Sequence, residues 1–392
     1  MKVDKHMNLF KLLYIYIFLF IILVQLICQV VFMNKKRRNK KKRWLISQNR
    51  KRLKHRTKQK IKRKNRKKFK QNFSKTTNYS YYDKKNQEFK FLAPENFSIM
   101  DNPKETIDYF NDVIKKINEK FHHKLTINFL LQNVNKITID AIMYMLAITK
   151  NTKKNHNTKG SYPVDNEAKA LFMNSGFLKY VYSNKNIINP SPNEDIQIRM
   201  SNDSNKNAIT CKEINSIIIE RYGIARRKLQ FLYDILYEMM INTNEHAYSS
   251  ETFLLNNWYV YVALEEERVK FSFLDTGIGI PYTVNKNFLE KINLLGLKTD
   301  ADLILSALNG KFKTSTMQEY RGKGLPKFTK YNKTKKIRNF KIVSGKGMVV
   351  FNEEKQDYLV YNLDKRLIGT VYYFEIELSS LREENENGNK NL

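Results

Sequence analysis

Asp275-Thr276-Gly277-Ile278-Gly279-Ile280-Pro281 follows directly on Val269-Lys270-Phe271-Ser272-Phe273-Leu274, a run that largely alternates apolar and polar residues. That alternation predicts a strand, so Asp275 would stand at the lip of a sheet. The two glycines after it let the backbone approach a ligand and adopt dihedrals that other residues avoid. Many turns contain D-x-G-x-G, so the string alone assigns nothing. Its meaning comes from what lies before and after it.

Upstream, Leu229, Leu232, Leu236, Met239 and Thr243 keep a three-to-four spacing that predicts a helix. Glu238, Asn242 and His246 recur every fourth residue and form one polar stripe on it. A carboxylate and an amide oxygen one turn apart can offer hard oxygens to Mg²⁺, which keeps several waters and takes few protein ligands. Read singly, E-x-x-x-N is also an ordinary solvated helix face.

Downstream come Gly310-Lys311-Phe312-Lys313-Thr314-Ser315-Thr316 and Tyr320-Arg321-Gly322-Lys323-Gly324-Leu325-Pro326. The second leads into a predicted helix, and N–H groups at a glycine-to-helix junction form an anion site. Lys311, Lys313, Arg321 and Lys323 add cations there, although a basic loop is unremarkable in a lysine-rich chain. The stretch 367–378, with Gly369-Thr370 near its start, reads as a strand. Three further strands are expected at 340–343, 348–352 and 357–362, with Ser344-Gly345-Lys346-Gly347 as a hairpin turn.

Taken in order, these fragments resemble the GHKL ATPases: gyrase-type ATPase subunits, heat-shock chaperones, mismatch-repair ATPases, sensor histidine kinases and anti-sigma-factor serine kinases. Glu238-x-x-x-Asn242 with His246-Ala247 is similar to the family's N box. Asp275-x-Gly277-x-Gly279 resembles the first glycine box, Gly322-x-Gly324-Leu325 the second, and Gly369-Thr370 the last Gly-Thr element. The resemblance implies an α+β fold over 208–380, a two-layer sandwich with a mixed sheet and helices on one face. It implies ATP and Mg²⁺ as ligands. Asp275 would accept the adenine amino group, where guanine presents a carbonyl. Asn242 would ligate Mg²⁺, and Glu238 would act as general base. His246, Gly277, Gly279, Lys313, Arg321, Gly322, Lys323, Gly324, Leu325 and Thr370 would line the nucleotide site. Residues 282–320 would be a mobile lid.

A sensor histidine kinase needs a phospho-accepting His in an H-E-x-x-x-P context. None of the six histidines has one. The nearest likeness is to the anti-sigma serine-kinase branch. The expected activity is therefore that of an ATPase or protein serine kinase which binds Mg-ATP and switches or phosphorylates a partner protein. A catalytically silent ATP-gated module and a nucleic-acid-associated ATPase are the alternatives.

The rest of the chain bears on location. Residues 12–33 carry no charge, and a helix of that length would reach roughly 33 Å, enough to span a bilayer. Of the 36 residues in 35–70, 22 are Lys or Arg and none is acidic, which concentrates much of the net charge of +33. The expectation is a single-pass membrane helix within 1–33, a basic linker over 34–90 and a cytoplasmic C-terminal bulk. A start at Met33 would instead make the protein cytoplasmic. The block would bind an anionic membrane surface or, away from a membrane, nucleic acid. Two cysteines exclude a disulfide framework.

Residues 91–200 read as a small α/β unit: a strand at 125–131, an apolar helix from Thr138 with Asp140 in its first turn, and a helical pattern over 165–181 broken at Ser175-Gly176. Around Ile139-Asp140-Ala141 and Phe172-Met173-Asn174-Ser175-Gly176-Phe177 it resembles a STAS domain. Ala141 and Ile142 stand where phosphorylation-switched STAS domains carry Ser or Thr. The polar stretch 183–207 reads as a linker, and 381–392 as a polar tail.

Overall fold

The computed structural model describes Gln25 and residues 80–83, 88–119, 124–153, 155–182, 195–246, 254, 257–288, 292–293, 295–312 and 324–382. The expected span at 12–33 (Gln25 apart) and the basic block lie outside these residues. Among the described residues no helix is long and apolar enough to cross a membrane.

The fold is mixed α and β. Its first half runs β1 (Ser80–Asp83), β2 (Glu88–Leu92), β3 (Asn96–Phe97), α1 (Pro103–Ile117), β4 (Thr126–Leu130), β5 (Lys136–Ile137), α2 (Ile139–Thr152), β6 (Asn157–Gly160), α3 (Asn166–Asn174) and α4 (Phe177–Val181). The strand order is β1-β2-β4-β6. β2, β4 and β6 are parallel, and β1 joins β2 antiparallel. Parallel neighbours need long crossovers, which α1 and α2 supply. Pro103 opens α1, Glu105 lies in its first turn, and Lys115 and Lys116 lie in its last, matching the helix dipole. In α2 every residue from Ile139 to Thr149 is buried. A helix apolar all round has to be covered all round.

The second half runs β7 (Ile196–Ser201), α5 (Asn205–Tyr222), a 3-10 turn (Arg226–Leu229), α6 (Gln230–His246), β8 (Trp258–Leu264), β9 (Arg268–Asp275), α7 (Ile280–Asn287), α8 (Asp300–Leu308), α9 (Gly324–Lys333), β10 (Arg338–Asn352), β11 (Asp357–Glu377) and α10 (Leu378–Arg382). One five-stranded sheet has the order β10-β11-β9-β8-β7, every pair antiparallel.

Successive side chains of that sheet face opposite ways, and both faces are buried. Trp258, Val260, Val262, Phe271, Phe273, Tyr372 and Phe374 face a core shared with Leu232, Leu236, Met239 and Met240 of α6, Ile214 and Ile218 of α5, and Phe328 of α9. Phe271 stacks on Phe374 at 4.8 Å. Tyr259, Tyr261, Leu274, Val343 and Val371 face the other way, into one core with α1 and α2. The first half is therefore a cover on the second face of the sheet, packed into it.

Three expectations change here. The stretch 183–207 contains β7, the edge strand of the sheet, and the start of α5. The alternation Ile196-Gln197-Ile198 carries a strand signal that the flanking Asn, Ser and Pro residues mask. Ser344–Gly347 is not a hairpin turn. β10 runs through it with register shifts, and the reversal falls between Asn352 and Asp357. The glycines serve a close approach instead: a Cβ on Gly347 would lie 2.6 Å from Ala301 N at the start of α8. Lastly, much of 282–320 is packed structure. Ile304 and Leu308 enter the main core, and Val284, Leu303, Ala307 and Phe312 form a small core of their own. Residues 313–320 lie outside the described residues.

The shared core predicts that a fragment starting at Asp195 exposes Tyr259, Tyr261, Leu274 and Val371 together. Such an apolar patch, of the order of several hundred Å², drives association. Light scattering is expected to show 195–392 self-associating where 77–392 stays monomeric. A monomeric 195–392 with an unchanged melting temperature would refute the shared core.

Candidate functional site

The site is built on one helix and the ends of two strands. α6 buries Leu232, Leu236 and Met239 against the sheet and leaves Glu238 and Asn242 half-buried on another face. α9 crosses that face at Gly324. A Cβ on Gly324 would lie 2.8 Å from Glu238 Oε2 and 3.4 Å from Asn242 Nδ2. No larger residue fits there without displacing one of them. Three residues on, Lys327 Nζ donates to Glu238 Oε1 at 3.0 Å. Both partners are partly exposed, so the ion pair orients the carboxylate more than it stabilises the fold.

The other end of the site is the β9 turn. Asp275 ends β9, with Trp258 opposite it on β8 and Thr370 on β11. Its Oδ1 accepts the Gly277 N–H at 2.7 Å. Burial pushes the Asp275 carboxyl up to about 6, partly offset by the Gly277 N–H and the Thr243 hydroxyl. Thr243 is the residue after Asn242, so α6 touches both ends of the site.

Ser344 locks the turn to β11. Its Oγ donates to Gly369 O at 3.0 Å, accepts the Ile280 N–H at 3.0 Å, and lies 2.9 Å from Thr370 Oγ1. The close approaches again require glycine. Gly279 has φ +82°, and its Cβ would fall 2.9 Å from Ser344 Oγ. Gly369 has φ +94°, and its Cβ would fall 2.1 Å from Asp275 O.

Of the residues read from sequence, Glu238, Asn242 and Gly324 meet at one end, and Asp275, Gly277, Gly279 and Thr370 at the other. Leu325 packs between the main and small cores. His246 ends α6, and its side chain lies outside the described part, as do Lys313, Arg321, Gly322 and Lys323. Three contributors escape the motif reading: Lys327, Thr243 and Ser344. Lys327 had a signal in its place in the first turn after the glycine pair. Ser344 had none, because its partners are distant in the chain.

Among the described residues no three His, Cys, Asp or Glu side chains gather as metal ligands. No protein-family model matches the sequence and no curated protein aligns with it, so the chemistry of the site carries the functional argument.

The Asp275 environment makes a stability prediction. Its folded pKa of about 6 exceeds the unfolded value of about 3.9. The folded chain therefore binds more protons between those values, and stability falls as pH rises through that window and stays reduced above it. Asp275→Asn keeps an acceptor for Gly277 and removes the charge. The ligand-free variant is expected to melt higher than wild type at pH 8 and alike at pH 4. A lower melting temperature at pH 8 would show that the carboxylate is not strained. Gly369→Ala is expected to cost more than about 2 kcal/mol in urea unfolding, through backbone strain and the Asp275 clash.

Proposed function

We propose that this chain is an ATP-binding regulatory protein of the GHKL type, which uses Mg-ATP to switch or phosphorylate a partner protein. The observation that carries the reading is the pairing of Glu238 and Asn242 with Gly324 on one helix face, while Asp275 ends the strand at the other end of the same helix's reach. The antiparallel sheet with α5, α6 and α9 on one face suits a two-layer sandwich of that type, here with its second face covered.

In this reading the ionised Asp275 accepts the exocyclic N–H of adenine, and Gly277 and Gly279 let the ring lie against the backbone. The phosphates run towards Gly324, whose N–H opens the ten-residue helix α9. Lys313, Arg321 and Lys323 supply cations from the segment before it. Asn242 would hold Mg²⁺, which would neutralise phosphate charge. Glu238 takes the proton of the attacking water or partner hydroxyl as its oxygen bonds to the γ-phosphorus and the bond to the departing ADP breaks. The close approach at Gly324 is the fit: with no side chain there, the start of α9 comes directly against Glu238 and Asn242.

One observation favours a second reading, a silent ATP-gated module. Lys327 Nζ holds Glu238 Oε1 at 3.0 Å, which occupies a carboxylate oxygen that a general base would turn to the attacking group. The segment 12–33 followed by the 35–70 block supports a single-pass membrane tether with the C-terminal bulk in the cytoplasm, which fractionation of a C-terminally tagged chain tests.

Calorimetry is expected to show Mg-dependent ATP binding that Asp275→Asn weakens by about 10- to 100-fold. Below about pH 6 affinity should fall, approaching tenfold per pH unit, because protonated Asp275 loses an acceptor. The Asp275→Asn protein should show no such slope. Phosphate release should drop about 10²-fold or more in Glu238→Gln. Equal background release by both proteins would favour the silent module, and no ATP binding by wild type would end the reading.

A further inference from the structure

Across the β10–β11 ladder Ser344 faces Thr370 and Gly345 faces Leu367. Ile368 and Gly369 thus have no opposite residues and form a bulge, which leaves ladder groups unpaired. The β9 side gives no help, because that pairing starts at Thr370. The partner for Ile368 comes from the other half of the fold. Tyr144 Oη on α2 donates to Ile368 O at 3.1 Å and accepts the Ile368 N–H at 3.2 Å. Two residues earlier, Asn111 Nδ2 on α1 donates to Arg366 O at 3.1 Å. Arg366 in turn donates to Ile278 O in the Asp275 turn at 3.3 Å.

The bulge therefore has two sides. One is held by α1 and α2. The other is Gly369, pressed against the Asp275 carbonyl and bonded through Ser344 to Gly279's neighbour Ile280. Tyr144 is 1% exposed, and burial keeps its phenol protonated, so it can donate and accept at once. Phenylalanine fills the same space and can do neither.

We infer that Tyr144 is a positioning residue for the nucleotide pocket: by pairing both backbone groups of Ile368 it holds the 368–369 bulge, and through it the adenine end, in binding geometry. The α/β half would then set nucleotide affinity in cis, without touching nucleotide. This rests on the ATP-binding reading above.

The test compares full-length wild type, Tyr144→Phe and Ile148→Val, the last a one-methyl trim one turn along α2 that keeps the Tyr144 hydroxyl in place. ATP and inorganic tripolyphosphate, both with Mg²⁺, are titrated into each. Hydrogen exchange is followed in the ligand-free proteins. Tyr144→Phe is expected to bind ATP about tenfold more weakly, to bind tripolyphosphate unchanged, and to exchange faster at 275–280 and 366–370. Ile148→Val should match wild type on all three. Wild-type ATP affinity in Tyr144→Phe, or equal losses for ATP and tripolyphosphate, would overturn the inference while leaving the site reading intact. Wild type that binds neither ligand would overturn both.

Discussion

A sheet with large apolar side chains on both faces cannot be left half-covered in water. Phe271, Phe273 and Phe374 require the α5–α6–α9 layer, and Tyr259, Tyr261 and Val371 require a second layer on the reverse. The α/β half meets the second demand with α2, a helix with no polar face to turn outwards. Mutual burial at about 25 cal/mol per Å² of apolar surface binds the two halves more firmly than any of the few hydrogen bonds between them. Three of those hydrogen bonds, from Asn111 and Tyr144, fall on one short stretch of β11, while others join Ser175 and Tyr180 to Ile198 of β7 and Asp101 to Lys341 of β10. Burial fixes that the halves meet, and these bonds fix the register in which they do.

The site holds features that work against stability. A half-buried carboxylate with its pKa pushed up to about 6 is unfavourable in a resting protein, and the positive-φ glycines beside it lose more chain entropy on folding than other residues would. Under the proposed function, a ligand that brings a donor to the carboxylate would offset part of that cost. The cost is confined to the rim, while beneath it β9 pairs with β8 and with β11 in unbroken register. The site is thus poised on a rigid base, as pre-organised binding requires.

Much of this was legible in the sequence where the signal is local. The strand ending at Asp275 has period two, and α6 has a helical repeat long enough to place Glu238 and Asn242 together. The meeting of Glu238 with Gly324 could be expected only through the family resemblance. Where tertiary contact decides, local reading fails. Gly345 and Gly347 look like a turn, yet they are glycines because α8 begins against them. Residues 196–201 look like a linker because their neighbours are polar. Tyr144 carries no sign of its partner, which lies 224 residues away. The apolar run of α2 announces burial but not what buries it.

The layer that covers the sheet's reverse face is also the first to be made. During synthesis the α/β half, with its crossovers of short range, leaves the ribosome before β10 and β11 exist. For that interval α2 has one side against its own strands and the other against nothing. The sheet then assembles on a surface already in place, with β7 drawn to β8 and β11 the last main strand to arrive. Nascent chains at this stage expose a sticky helix for as long as it takes to translate roughly 200 residues, about 10 to 40 s at ordinary elongation rates. The order of the two halves along the chain thus makes the cover a template, and makes that interval the chain's most aggregation-prone moment.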